Sequence, residues 1–453
     1  MLYRKIYERI EKFYYEENNG NALMITGARQ VGKSFIIDRF GESHFESFIK
    51  IDFIDTPAHV SLFNGVKSSE DVLIRLSAEF GDKMIPGKTL IFFDEVQECP
   101  ELITQIKYLI QEGSYRYILS GSLLGTIMRD IRSIPVGYLS IVQMYPMDFE
   151  EFAIANGVAE SVIASLKESY LSLKPVDEYI HERMMDLFKL YLIVGGMPAA
   201  VSSYLDTKNL NSVANTQLGI LNLYRADIAK YDKENKLYLQ EIFDLIPSEL
   251  NAKNKRFILK NLNQYTKFSK YENSFIWLRD AGVALPTYVA DEPLAPLTFS
   301  KSSNLFKLFM NDVGLLAAMY GNGIQIKLLK GEAEINFGAV YENAVAQELA
   351  AHGYPLYFYN NKKRGEVDFL VEDGDIVTPV EVKSGKEYYR HAALDNLMNV
   401  KDYGLIKGYV LCNSNIEVDN KVISMPVYML MFIQKEELPK DAIFELDMSA
   451  LME

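Results

Sequence analysis

Two groups of residues in this chain have the types and spacing to do chemistry on phosphates. The first is Gly27-Ala28-Arg29-Gln30-Val31-Gly32-Lys33-Ser34. Glycines let a backbone turn sharply and aim its N–H groups at an anion, a lysine reaches the β and γ oxygens, and a hydroxyl joins a magnesium shell. Gly27, Gly32, Lys33 and Ser34 supply these parts, between an apolar strand at 22–26 and a helical pattern from Ser34 to Phe40. The run Leu90-Ile91-Phe92-Phe93 then presents Asp94 and Glu95 at the carboxyl end of a buried strand, where open α/β sheets bind ligands. Asp94 is the expected magnesium partner and Glu95 the expected base for the attacking water. Capping of the next helix is the plainer use of such carboxylates. A third strand, Tyr117–Leu119, runs into Ser120-Gly121-Ser122, so that Ser120 would orient water or sense the γ-phosphate, although a simple turn has the same sequence.

The second group lies near the C-terminus, in Gly365-Glu366-Val367-Asp368-Phe369-Leu370 and Pro379-Val380-Glu381-Val382-Lys383. Nucleases of the restriction-endonuclease type hold magnesium with an Asp and a Glu on adjacent strands and place a Lys two residues past the Glu. Strand alternation puts Glu381 and Lys383 on one face opposite Val380 and Val382, and separates Asp368 from Val367 and Phe369 in the same way. Glu342 shares a helix face with Gly338, Val345 and Leu349, so it aims at the sheet and completes the expected metal set of Glu342, Asp368 and Glu381. Glu348 is the less favoured helix acid. The same residues would equally serve a structural ion-pair network.

The elements that must position these groups follow from periodicity. Short apolar strands at 22–26, 48–53, 89–93 and 117–119 alternate with helical patterns at 69–79 and 101–112, which predicts a parallel sheet covered by helices. From Asp148 to Tyr231 the pattern is helical, broken at Gly195-Gly196-Met197-Pro198. Helices at 238–246, 252–262 and 270–281, followed by strands near 283–289 and 294–299, predict a winged helix. A helical patch at 305–320 precedes helix 337–351, strands 355–360, 366–372 and 376–383, helix 390–400 and strand 407–412. The expected fold is α/β throughout: a P-loop sheet at 1–150, a helical lid at 151–235, a winged-helix-like unit at 236–300 and a second α/β domain of restriction-endonuclease type at 301–453.

At 453 residues, several domains are expected. The net charge of −14 gives no global attraction to nucleic acid, so any basic face must be local. Such a face is offered by 251–271, where Lys253, Lys255, Arg256, Lys260, Lys267 and Lys270 stand without an acid among them; a solvated helix face is the alternative. Cys99 and Cys412 are too few for a disulfide framework or a thiolate zinc site, which suits a reducing cytoplasm. No stretch reaches the roughly 20 apolar residues that span a bilayer, so no membrane insertion is expected.

Gly27–Ser34, Asp94-Glu95, Ser120-Gly121-Ser122 and Tyr145–Phe152 together resemble the AAA+ superfamily, specifically the prokaryotic branch similar to archaeal ATPases and replication initiators. The resemblance continues through Gly195–Pro198, Phe243–Ser248, Trp277–Gly282 and Asp312–Leu316. It implies ATP and Mg2+ as cofactors. Relatives often carry Arg where Tyr138 follows Pro135-Val136-Gly137, so an arginine finger falls to Arg129 or Arg132, weighed against ordinary exposed arginines. The C-terminal segment resembles the PD-(D/E)xK phosphodiesterases, with Asp368, Glu381 and Lys383 on the motif and Glu342 as the helix acid. The expected function is an ATP-driven switch acting on DNA; the alternative is a signalling or assembly ATPase whose C-terminal domain only recruits partners. Expected partners are ATP, DNA and further copies of the chain.

Overall fold

The computed structural model describes residues 2–17, 20–66, 68–122, 137–231, 236–252, 255–257, 271–321, 325, 327, 329 and 337–435. The first half begins with α1 (Lys5–Lys12) and builds a sheet from β1 (Ala22–Thr26), β2 (Ser47–Asp52), β3 (Thr89–Asp94), β4 (Arg116–Gly121) and β5 (Leu139–Gln143), with α2 (Lys33–His44), α3 (Ser69–Phe80) and α4 (Pro100–Glu112) between them. All pairings are parallel, in the order β2-β3-β4-β1-β5. Every residue of β1 and β3 is buried. That is why both read as unbroken apolar runs, for a strand covered by helices on two faces has no solvent side to mark with polar residues.

A helical region follows: α5 (Phe149–Ala155), α6 (Glu160–Ser172), α7 (Glu178–Val194), α8 (Pro198–Thr207), α9 (Leu210–Tyr231), α10 (Lys236–Asn251) and α11 (Glu272–Asp280). The break at Gly195-Gly196 is a close approach as well as a turn. A Cβ on Gly196 would stand 1.9 Å from the Met147 carbonyl oxygen, and one on Gly195, at φ +71°, 2.2 Å from Asp312 Oδ1. No single helix among the described residues is long and apolar enough to cross a membrane.

The remaining strands form one mixed sheet: β6 (Ala284–Ala290), β7 (Lys301–Met310), β8 (Tyr357–Asn361), β9 (Gly365–Asp373), β10 (Ile376–Val382), β11 (Gly408–Cys412), β12 (Glu417–Asp419) and β13 (Val422–Pro426). Their order is β12-β13-β11-β10-β9-β8-β6-β7, and α12 (Val313–Met319), α13 (Phe337–Ala351) and α14 (Ala392–Met398) accompany them. This corrects the winged-helix expectation. The pair β6–β7 is antiparallel as a wing would be, but β6 also pairs in parallel with β8, from Tyr288↔Tyr357 to Ala290↔Tyr359, so the pair is built into the larger sheet with β7 at its edge. Residues 305–310, expected to be helical, are strand; 294–299 ends in a 3-10 turn at Leu297–Ser300 instead of forming a strand. One continuous apolar core runs from Ile10 through the helical region to Ile433, joining one face of each sheet.

Candidate active site

The loop that leaves β1 is shaped by its glycines. Gly27 has φ +140°, and a Cβ there would lie 2.1 Å from the Met144 carbonyl oxygen. Gly32 has φ +96° and caps α2, whose first residues are Lys33 and Ser34. The unbonded N–H groups and positive dipole end of α2 therefore open onto the loop, a built anion site. Lys33 is 5% exposed and donates to the carbonyls of Gly27 at 3.0 Å and Ala28 at 2.9 Å. Burial depresses its pKa; the charges of Glu95 and Asp94 oppose that, and Arg29 reinforces it. A desolvated ammonium with only carbonyl partners has a strong deficit of negative charge to satisfy.

Asp94 ends β3 and is 1% exposed. Ser120 of β4 donates to its Oδ1, and Lys50 of β2 stands 3.5 Å from Oδ2. Glu95 takes a left-handed backbone, φ +56°, a conformation uncommon in a residue other than glycine and a mark of local constraint. Its carboxylate meets Gln97 and, at 3.5 Å, the Ser122 hydroxyl. Glu95 shares with Arg29, Gln30, Gly32, Lys33 and Ser34 a cleft of about 430 Å³ that Pro198 and Leu223 also line. The structure thus brings together the glycine loop, Lys33, Ser34, Glu95 and, behind them, Asp94 and Ser120. Buried Lys33, the open α2 N-terminus and the paired carboxylates fit a magnesium-bound triphosphate in donor chemistry and in space.

Contacts that sequence reasoning missed tie this loop to distant segments. Arg4, the N-cap of α1, is buried and donates to the Val31 carbonyl at 2.9 Å, the Tyr145 carbonyl at 2.7 Å and Glu151 at 3.1 Å. Arg29 pairs with Asp227 of α9 at 2.6 Å, and the Tyr224 hydroxyl donates to the Arg29 carbonyl at 3.2 Å. Gly282, φ +68°, approaches so closely that a Cβ would lie 2.9 Å from the Ala28 nitrogen. None of these has a local sequence signature beyond the glycine.

The C-terminal carboxylates also converge. Val382 N–H donates to Asp368 Oδ2 at 2.9 Å, and Lys383 donates to Glu381 Oε1 at 2.7 Å. However, the space between them holds a residue not anticipated: Lys307 of β7, wholly buried, with Nζ 2.9 Å from Glu366 Oε1, 3.4 Å from Glu342 Oε2 and 3.7 Å from Asp368 Oδ1. Lys255 pairs with the other Glu342 oxygen, and Arg256 with Glu366 at 2.8 Å. Burial alone would depress the Lys307 ammonium, but Glu342, Asp368 and Glu366 more than reverse it and raise its pKa. Glu342, Glu366, Asp368 and Glu381 are thus matched one for one by Lys255, Arg256, Lys307 and Lys383. As folded, the set fits internal ammonium and guanidinium groups rather than a divalent ion. The signal available in the sequence was a lysine inside the apolar run Phe306-Lys307-Leu308-Phe309-Met310, where a cation must be paired.

Glu381 Oε2 is buried without a hydrogen bond. Burial first, then the Asp368 charge, pushes its carboxyl up to about 8 despite Lys383. The folded state therefore holds a proton that the unfolded chain releases at its ordinary carboxylate pKa; the associated stability is complete below about pH 4.5 and is lost as pH rises through about 8. Glu381→Gln should flatten the decline of the urea midpoint between roughly pH 5 and 8; an unchanged slope would refute the assignment.

Of the basic stretch 251–271, Lys255 and Arg256 are described, and both turn inward to carboxylates; 253, 254 and 258–270 lie outside the described residues. Arg129 and Arg132 lie outside them too.

Comparison with known families is consistent with this geometry. Residues 19–153 match a family described as an AAA domain; residues 185–325 and 337–429 match two domains of unknown function, DUF8612 and DUF4143. No curated protein matches the chain. Among solved structures, the chain is similar to the Walker-type ATPase paby2304 of Pyrococcus abyssi at 14% identity, covering 71% of this chain and 96% of that one with a TM-score of 0.43. It is also similar to Cdc6p from Pyrobaculum aerophilum, at 12% identity, 72% and 93% coverage and a TM-score of 0.25. A Pif1 helicase from Bacteroides, solved with ADP-AlF3 and ssDNA, shares 13% identity over 42% of this chain and 50% of that one, with a TM-score of 0.22. Glycine loop, parallel sheet and family match agree: residues 19–153 are a P-loop ATPase domain of the AAA type.

Proposed function

We propose that this chain is an ATP-hydrolysing switch whose C-terminal sheet recognises a partner without cutting it. The observation that carries the reading is the shared cleft in which Lys33, Ser34 and Glu95 meet, with Asp94 buried behind them. When bound, Mg2+–ATP supplies the transferable phosphoryl group and neutralises charge on its oxygens. Ser34 and Asp94 would hold the ion. Lys33 exchanges its two loop carbonyls for β and γ oxygens, and Glu95 is placed to orient and deprotonate water. Ser120, already bonded to Asp94, links that carboxylate to the adjacent strand. The switch reading rests on Arg29, Tyr224, Asp227 and Gly282, which couple the loop to α9 and to the segment that enters β6.

The alternative, ATP-driven cleavage of DNA, has less support. It needs Glu342, Asp368 and Glu381 free to hold magnesium, and Lys307 and Lys255 already engage that set. The two readings separate in a paired assay of ATP hydrolysis and metal-dependent cleavage of DNA and RNA. A silent C-terminal domain predicts that Lys383→Ala leaves hydrolysis within about twofold of wild type and that neither protein cuts any substrate. Cleavage by wild type that Lys383→Ala abolishes would reverse the choice; absence of nucleotide binding would remove both.

A further inference from the structure

Where the ATPase domain meets α13 there is a second cluster, unrelated to either phosphate-like site. Asp148, the N-cap of α5, faces Glu348 in the last turn of α13 and His352, the residue just past its end. Asp148 is 4% exposed, Glu348 is fully buried, and the His352 side chain is 5% exposed. One ligand atom from each lies within 4.8 Å of the other two.

The orientation of His352 points to a ligand. Its Nδ1 lies 2.7 Å from the Ile433 carbonyl oxygen, which can only accept, so Nδ1 carries a hydrogen. In the neutral ring Nε2 then has a bare lone pair; burial opposes a charge there, but Asp148 and Glu348 outweigh it and raise the imidazole pKa, so a proton competes with a metal for this position. Nε2 is buried, has no hydrogen-bond partner, and looks at Asp148 Oδ2 and Glu348 Oε1, each 3.8 Å away. A lone pair facing two carboxylates in a buried site calls for a cation between them. An imidazole whose other nitrogen is anchored to a backbone carbonyl is the usual arrangement of a metal-binding histidine.

We propose that Asp148, Glu348 and His352 form a zinc site that staples α13 to the start of α5. Zinc suits one imidazole with two carboxylates. At bond lengths of about 2.0–2.1 Å, tetrahedral ligands sit roughly 3.3 Å apart, so the two 3.8 Å edges at Nε2 close by about half an ångström, and the edge between the carboxylates, within 4.8 Å, closes to the same spacing. The Asp148 oxygen that faces Nε2 is the one Lys5 holds, so the ion must displace that ammonium. Lys5 is shared between Asp148 at 2.6 Å and Glu150 at 2.5 Å and keeps Glu150 if the ion takes Asp148. Arg4 is engaged by Glu151 and the loop carbonyls, while Phe149 N–H donates to Glu348 at 3.0 Å and holds its carboxylate in place. The ion would join residues next to Arg4, and through Arg4 the glycine loop, to the C-terminal domain.

The test uses the full chain, freed of metal with chelator, dialysed, and kept without nucleotide. Titration calorimetry with Zn2+ should give one tight equivalent that excess Mg2+ does not displace, and Co2+ should give the visible absorption of a four-coordinate site. His352→Asn should remove both signals. Glu348→Gln, which keeps an oxygen for Phe149 N–H and so preserves the cap, should weaken Zn2+ at least tenfold. Binding unchanged in both variants overturns the proposal. So does a wild type that takes up no stoichiometric metal and shows only a pH-dependent stability that His352→Asn removes, since the cation would then be a proton on the imidazole.

Discussion

Lys33→Ala is expected to lower ATP hydrolysis by about a hundredfold or more, the scale on which one preorganised electrostatic donor contributes to charge development in a transition state. The same change should leave the nucleotide-free protein at least as heat-stable as wild type. Lys33 is buried with two backbone carbonyls as its hydrogen-bond partners, and burial holds its pKa below the ordinary lysine value. In nucleotide-free protein Lys33 is therefore a desolvated cation held at a cost, and alanine removes that cost together with the function. Turnover and thermal melting measured on one preparation decide the matter. A melting point that falls by many degrees along with the activity would mean that Lys33 supports the fold, and the loss could no longer be read as chemistry.

Lys307→Met should behave in the opposite way. Methionine conserves most of the volume but removes the ammonium that Glu342, Glu366 and Asp368 share. Glu342 is 1% exposed and Asp368 9%, so neither regains water. Breaking a buried ion pair by deleting one partner costs about 3–5 kcal/mol. That loss should appear in chemical denaturation of the C-terminal transition, with hydrolysis per folded molecule little changed. Adding Glu342→Gln to Lys307→Met should recover part of the loss, because one of the buried carboxylates that the ammonium balanced is then neutral; the coupling follows from the four-protein cycle. Destabilisation below about 1 kcal/mol would show that the cluster is not held by Lys307.

The two phosphate-like sites were legible in the sequence to different depths, for a physical reason. Gly27, Gly32, Lys33 and Ser34 lie within eight residues, and the strand before Asp94 declares itself by four apolar residues, so local information places the first site almost completely. For the second, Asp368, Glu381 and Lys383 could be set on adjacent strands because alternation is local, and they do converge. What was missing was Lys307. It reaches them only because β6 pairs with β8, a register between residues 288–290 and 357–359 that no short window contains. The same long-range pairing is why strands expected near 283–289 and 294–299 resembled a wing: a hairpin is suggested locally, while the neighbour β8 is not. The role of Arg4 is hidden for the same reason, since helical spacing in α1 says nothing of a cap residue folded under the glycine loop.

The contact between Gly282 and Ala28 has a consequence for anything that grips the far sheet. Residue 282 lies two positions before β6, and its backbone rests against the loop with no room for even a methyl group. If triphosphate reshapes that loop, the strand entry must shift with it, and thermodynamic reciprocity then holds: a protein that clamps the eight-stranded sheet alters the dissociation constant for nucleotide by the same factor that nucleotide alters the clamp. A bound partner would thus be detectable, without structural work, as a displaced nucleotide binding isotherm.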